Sequence, residues 1–152
     1  MRFQTLFNET NLGIDQLKSI FEKLILKFKV PTMILFEGQA GVGKTESVRL
    51  ICQILNFQQI ASPSFAIIHQ YQNQSLTLFT HVDLYRLTND DDLESSGFWD
   101  LFANENQIIA IEWSEKINKD FLPLNWQKII VRLEAGADVQ LRNITITEEL
   151  DY

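Results

Sequence analysis

The chain has 152 residues, 45% hydrophobic and 22% charged, the balance of one globular domain over residues 1–152 rather than of a disordered segment. A net charge of −7 repels phosphate backbones, so direct nucleic-acid binding by the chain alone is not expected. One Cys and two His exclude an all-Cys/His zinc site and an intrachain disulfide, and no apolar run suits a membrane span or signal peptide, so a cytoplasmic protein is expected.

Residues 13–28 (GIDQLKSIFEKLILKF) place Leu17, Ile20, Phe21, Leu24 and Phe28 on one helical stripe, with Thr10 or Asn11 as the cap and Pro31 as the stop. The apolar run TMILFE at 32–37, followed by glycines and a second helical pattern, predicts a buried central strand. The second helix covers 44–55, where Val48, Ile51, Cys52 and Leu55 form the inner stripe and Cys52 is packing. Residues 65–71 and 76–83 flank a polar turn at 72–75 and predict a hairpin, with His69 a structural residue in mid-strand. An acidic helix start follows at 89–94; Asp90, Asp91, Asp92 and Glu94 lack the spacing and Gly of a calcium loop. A short amphipathic stretch lies around 98–102. Strands are predicted at 107–113, 127–134 and 141–147, the last two joined by AGADVQ as a hairpin. Together these elements predict an α/β fold of the P-loop NTPase kind. Its mixed sheet is parallel at the centre, carries added antiparallel hairpins and is flanked by helices.

The chemistry concentrates at residues 38–45, GQAGVGKT, which match GxxxxGK[ST] at Gly38, Gly43, Lys44 and Thr45 between a predicted strand and a predicted helix. Glycines let the backbone wrap phosphate oxygens with its N–H groups, and the new helix adds its free N–H groups and positive dipole end. Lys44 reaches the β- and γ-phosphates and the Thr45 hydroxyl suits Mg²⁺. Gly38, Gln39, Ala40, Gly41, Val42, Gly43, Lys44 and Thr45, with Glu46 beyond them, are the candidate nucleotide contacts. The dinucleotide pattern GxGxxG fails at Glu46, and the guanine-reading NKxD fails at Phe121, which leaves ATP as the expected nucleotide.

Such a loop needs an acidic residue at the end of a neighbouring strand to hold Mg²⁺. Glu112 ends the clean apolar strand IIAIE, while Asp83 ends LTLFTHVD, which Thr80 and His81 interrupt. Both belong at the carboxyl edge of the sheet, one holding the metal and the other orienting the attacking water, with the roles unassigned by pattern alone. The hydroxyls around Pro63, on Ser62 and Ser64, suit a segment that senses the γ-phosphate or Mg²⁺. Strand alternation puts Trp113 on the face opposite Glu112. The rival reading is a small-molecule or nucleotide kinase, although no Arg-rich lid segment stands out among the 13 basic residues.

In order and spacing, GQAGVGKT, SPSFAIIHQY, HVDLYRL and IEWSEK resemble the TsaE family, whose corresponding blocks run close to SPTYTLV-x-x-Y, HxDLYRL and IEWxE. These are bacterial P-loop ATPases associated with threonylcarbamoyladenosine modification of tRNA. The resemblance implies phosphate and Mg²⁺ binding at Lys44 and Thr45, a metal-associated Glu112 and a catalytic or switch acid at Asp83. It implies nucleotide sensing around Ser64 and nucleotide contacts near Asn11 and Arg142. This chain carries Ser64 where the family usually has Thr, and His69 where an acidic residue is common. The resemblance further implies that the protein does not itself modify tRNA. It would join a TsaD–TsaB complex and support its turnover by hydrolysing ATP.

Overall fold

A strand covered on both faces must be apolar on both, and TMILFE meets that demand: β2 (Thr32–Glu37) is buried from Thr32 through Phe36. The computed structural model describes residues 1–61 and 67–150. It is a mixed α/β structure built on one sheet of eight strands. In chain order the elements are β1 (Arg2–Leu12), α1 (Ile14–Ile25), β2, α2 (Lys44–Ile54), β3 (Gln58–Ala61), β4 (Ile68–Gln72) and β5 (Leu78–Asp83). Then follow α3 (Asp90–Ser95), β6 (Gln107–Glu112), β7 (Gln127–Ala135) and β8 (Arg142–Leu150), with short 3-10 turns at Trp99–Ala103, Ser114–Lys116 and Lys119–Phe121.

The strand order is β1-β8-β7-β2-β6-β5-β4-β3. Its four central strands, β7, β2, β6 and β5, run parallel. At each end two strands add antiparallel, β8 and β1 on one side, β4 and β3 on the other. The expected hairpins are both present, with His69 opposite His81 and Ile130 opposite Thr147.

Alternation along the parallel strands divides the core into two layers. Ile34, Phe36, Phe79, Ile108, Ala110, Ile129 and Val131 face α1 and α2, where Phe21, Leu24, Val48 and Ile51 close over them. Met33, Leu35, Val82, Ile109, Ile111 and Ile130 face the other way, against Leu93 of α3, Phe98, Leu122 and Trp126. Full burial of one such side chain is worth about 1.5–3 kcal/mol, so both layers contribute to holding the sheet rigid behind the loops at its carboxyl edge. Cys52 belongs to the first layer, and burial pushes its thiol up to about 11, which leaves it protonated packing.

Two edge strands were not legible as strands. β1 is exposed along most of its length and pairs with β8 alone, through two register shifts, so no alternating apolar face marks it. β3 is only four residues long. The expected cap of α1 is corrected as well: the helix starts after Gly13, whose N–H donates to Gln16 Oε1 at 2.8 Å. Asn11 instead adopts a positive φ of 54°. Its N–H donates to Asn143 Oδ1 (2.8 Å) and its own Oδ1 accepts from Ala137 N–H (2.7 Å), tying β1 to the β7–β8 turn. The acidic start of α3 is a true helix N-terminus, where Asn89 Oδ1 accepts from Asp92 N–H at 2.8 Å.

Candidate nucleotide site

Residues 38–45 link the carboxyl end of β2 to the first turn of α2. Gly38 turns the chain at φ 149°, and a Cβ there would stand 2.5 Å from the Leu133 carbonyl oxygen and 2.8 Å from Val42 Cγ1. The residue must be glycine because β7 passes too close for anything larger. Gly43 caps α2, and its carbonyl accepts from Ser47 N–H at 2.9 Å and from Ser47 Oγ at 2.8 Å. The buried stripe of α2 begins at Lys44 and continues through Ser47, Val48, Ile51 and Cys52. The helix that packs on the sheet therefore aims its first residue into the site.

Lys44 is only 4% exposed. Its Nζ donates to the carbonyls of Gly38 and Gln39 and lies 3.6 Å from the centre of the Trp113 ring. Burial lowers its pKa below the ordinary lysine value, and the charges of Glu115, Glu112 and Asp83 offset part of that effect. Trp113 packs against the layer of Ile109 and Ile111, on the face opposite Glu112, as strand alternation predicts. β6 ends at Glu112, and Trp113 takes a left-handed conformation (φ 60°, ψ 41°) that swings its indole over the lysine. Tyr85 also packs against this indole, with ring centroids 5.2 Å apart.

Asp83 and Glu112 are register partners on adjacent parallel strands, as expected of acids sharing one sheet edge. Glu112 is 2% exposed. Thr45 Oγ1 donates to it, 2.7 Å from Oε1 and 3.0 Å from Oε2, and His81 Nε2 lies 2.5 Å from Oε2. Asp83 is more open and accepts from Tyr85 N–H at 3.0 Å. Both carboxylates, Thr45, Lys44, Glu46, Tyr85 and Trp113 line one recess of about 300 Å³ with the loop glycines. Glu46 itself pairs with Arg49 at the surface. A half-buried hydroxyl beside two carboxylates is an all-oxygen donor set, the chemistry that Mg²⁺ prefers, so Thr45, Glu112 and Asp83 fit that ion.

On the opposite face, Glu37 ends β2 and meets Lys119 and Arg132. Burial pushes its carboxyl up, but the hydrogen bonds and charges of these two cations outweigh that and hold it below the ordinary value. Neither the Glu37 clasp nor the His81 contact was found from the sequence. The only signal was polarity inside otherwise apolar strands, where His81 and Thr80 read as interruptions; Thr80 Oγ1 in fact donates to Gln107 Oε1 at 2.9 Å.

Arg142 lies beside the loop. Its Nε–H donates to Val42 O (2.7 Å), and its Nη1 donates to Val139 O and Leu141 O. It lines a larger cavity of about 920 Å³ that runs from residues 37–42 along β7 to Val139. Asn11 does not line that cavity or the recess. Ser62, Pro63 and Ser64 lie outside the described residues.

The family model "Threonylcarbamoyl adenosine biosynthesis protein TsaE" matches residues 13–144. A Haemophilus influenzae protein named tRNA threonylcarbamoyladenosine biosynthesis protein TsaE is 35% identical over 99 residues, which is 63% of this chain and 61% of that relative. A Borreliella burgdorferi protein of the same name is 29% identical over 109 residues, 72% of this chain and 76% of the relative. The crystal structure of YdiB from Bacillus subtilis superposes with a TM-score of 0.66 over 97% of this chain and 88% of that one, at 22% identity, a likeness of fold. The blocks on which the sequence resemblance rested fall within the matched span, and the chain belongs to the TsaE family.

Proposed function

We propose that this chain binds ATP with Mg²⁺ in the recess at residues 38–45, hydrolyses it, and thereby supports a TsaD–TsaB type complex in tRNA threonylcarbamoyladenosine biosynthesis. The observation that carries the reading is one juxtaposition. The loop lysine, the helix-start hydroxyl of Thr45 and the strand-end acids Asp83 and Glu112 line a single recess. Loop N–H groups and the α2 N-terminus bind the phosphates, and Lys44 exchanges its carbonyl and indole partners for phosphate oxygens. Thr45 and Glu112, with Asp83 beside them, hold the metal, which when bound offsets negative charge on the phosphates. Asp83, the more open of the two acids, orients the attacking water through its carboxylate oxygens. The relatives' names support the place in tRNA modification, and the net charge of −7 favours a protein partner over tRNA itself.

Calorimetric titration with ATP and Mg²⁺ tests the site. Lys44→Ala removes a hydrogen bond to a charged group worth about 1.5–3 kcal/mol, so affinity should fall by about tenfold or more. Unchanged affinity would remove the site. Phosphate release and association measured with and without purified TsaD–TsaB test the role. Hydrolysis should be slow alone, and association should depend on ATP; absence of any association would favour the kinase reading.

A further inference from the structure

We propose that His81 is a positioning residue for the metal-holding end of this site, acting through Glu112 on Thr45; the inference rests on the nucleotide reading above. Among the described residues, the Glu112 carboxylate has two hydrogen-bond partners, the Thr45 hydroxyl and the His81 imidazole. Both sit on the α1/α2 side of the sheet, and the parallel register explains how the imidazole gets there. His81 stands opposite Ala110, one of the smallest side chains available, so the ring lies across that position and reaches Glu112 two residues further along β6. A carboxylate buried to this degree is costly unless its oxygens receive donors, and an ionised carboxylate can only accept. Nε2 therefore carries the proton and donates it to Oε2.

The consequence passes to Thr45. A hydroxyl has one proton and two lone pairs. With its proton committed to Glu112, Thr45 Oγ1 offers lone pairs to the recess. The orientation of that hydroxyl is only as firm as the carboxylate it points to, and His81 is what holds the carboxylate apart from Thr45 itself. Outer partners of this kind typically govern metal affinity by about 10–100-fold without touching the ion. A buried histidine kept only for packing has no such effect.

Titration of ATP into the wild type, His81→Gln and His81→Phe, each with Mg²⁺ and with EDTA, separates the two roles, with thermal melting to confirm the fold. The gain in ATP affinity on adding Mg²⁺ should drop about tenfold in His81→Phe, while affinity in EDTA stays unchanged. His81→Gln keeps an N–H of similar reach and should retain most of the gain. Equal losses in Mg²⁺ and EDTA, or a folded His81→Phe with the full gain, would overturn the proposal. If His81→Phe does not fold, His81→Gln against His81→Asn decides, because the shorter amide cannot span the gap; equal behaviour of these two overturns it. A wild type that binds no ATP in either buffer defeats the nucleotide reading itself, whereas a normal wild-type gain shared by His81→Phe defeats only the role of His81.

Discussion

Gly38→Ala and Gly41→Ala change the same residue type in the same loop, yet the surroundings predict very different costs. At Gly41 the backbone has φ 77° and an added Cβ meets nothing within 4 Å, so alanine pays only the left-handed penalty of about 1–2 kcal/mol. At Gly38 the backbone is also outside the usual range for alanine, at φ 149°, a strain of about 1–3 kcal/mol. The methyl would in addition lie 2.5 Å from the Leu133 carbonyl oxygen, a backbone atom of a central strand. Relieving that contact means shifting β7 or the end of β2, an overpacking cost of about 1–3 kcal/mol more. The sum for Gly38→Ala is roughly 2–6 kcal/mol, a large share of the ~5–15 kcal/mol that holds an ordinary domain together. Urea denaturation of the three proteins, with slopes compared to confirm the same transition, measures both differences. If Gly38→Ala and Gly41→Ala lie within about 0.5 kcal/mol of each other, the close approach of β7 is not what selects glycine at residue 38.

Glu37 carries a lowered pKa, so its pairing with Lys119 and Arg132 stabilises the fold above its ordinary value of 4.5 and is lost as pH falls through the lower folded value. Glu37→Gln should therefore lower stability at pH 6 and lessen the further fall below pH 4.5, and parallel acid profiles in urea melts would contradict this. Nucleotide that draws Lys44 away from the indole 3.6 Å from it should change Trp113 emission; Trp113→Phe should abolish the change, and its survival would assign it to Trp99 or Trp126. On the proposed reading, in which Asp83 orients the attacking water, Asp83→Asn should cut hydrolysis by roughly 10²-fold or more while ADP affinity falls far less. Loss of ADP affinity in step with hydrolysis would place Asp83 in binding instead.

What was legible in the sequence was local. GQAGVGKT carries its own glycines, lysine and hydroxyl within eight residues, and TMILFE and QIIAIE announce buried parallel strands because both of their faces are apolar. Glu112 was found because it ends such a strand, and Asp83 because it ends a strand pattern that only Thr80 and His81 interrupt. Three features escaped for a common reason: their partners are distant in sequence. His81 meets Glu112 31 residues away, and Glu37 meets Arg132 95 residues away, both set by the strand order β7-β2-β6-β5. The long edge strand β1 escaped because its faces are polar and its partner β8 lies at the far end of the chain. The face of Trp113 was legible from alternation, but its contact with Lys44 was not, because a left-handed residue just past the strand end sets it.

That left-handed turn also links the two faces of the sheet. Glu112 points with His81 toward α1 and α2, while Glu37 points the other way, so the acids flanking the loop cannot act as one cluster. Nature of partner separates them further. Glu37 is already met by two cations and has little charge left to offer a ligand. Glu112 is met by a hydroxyl and an imidazole, so its charge is held in place but not cancelled. Among the described residues, Lys44 has carbonyls and an aromatic face within reach and no carboxylate hydrogen bond. The charges of Glu115, Glu112 and Asp83 favour the Lys44 cation from a distance and offset part of the cost of burying it. On the proposed reading, a ligand that is negative at its phosphates and carries a divalent cation would meet Lys44 and the Glu112–Asp83 end of the recess at once, so metal–nucleotide should bind more tightly than nucleotide alone.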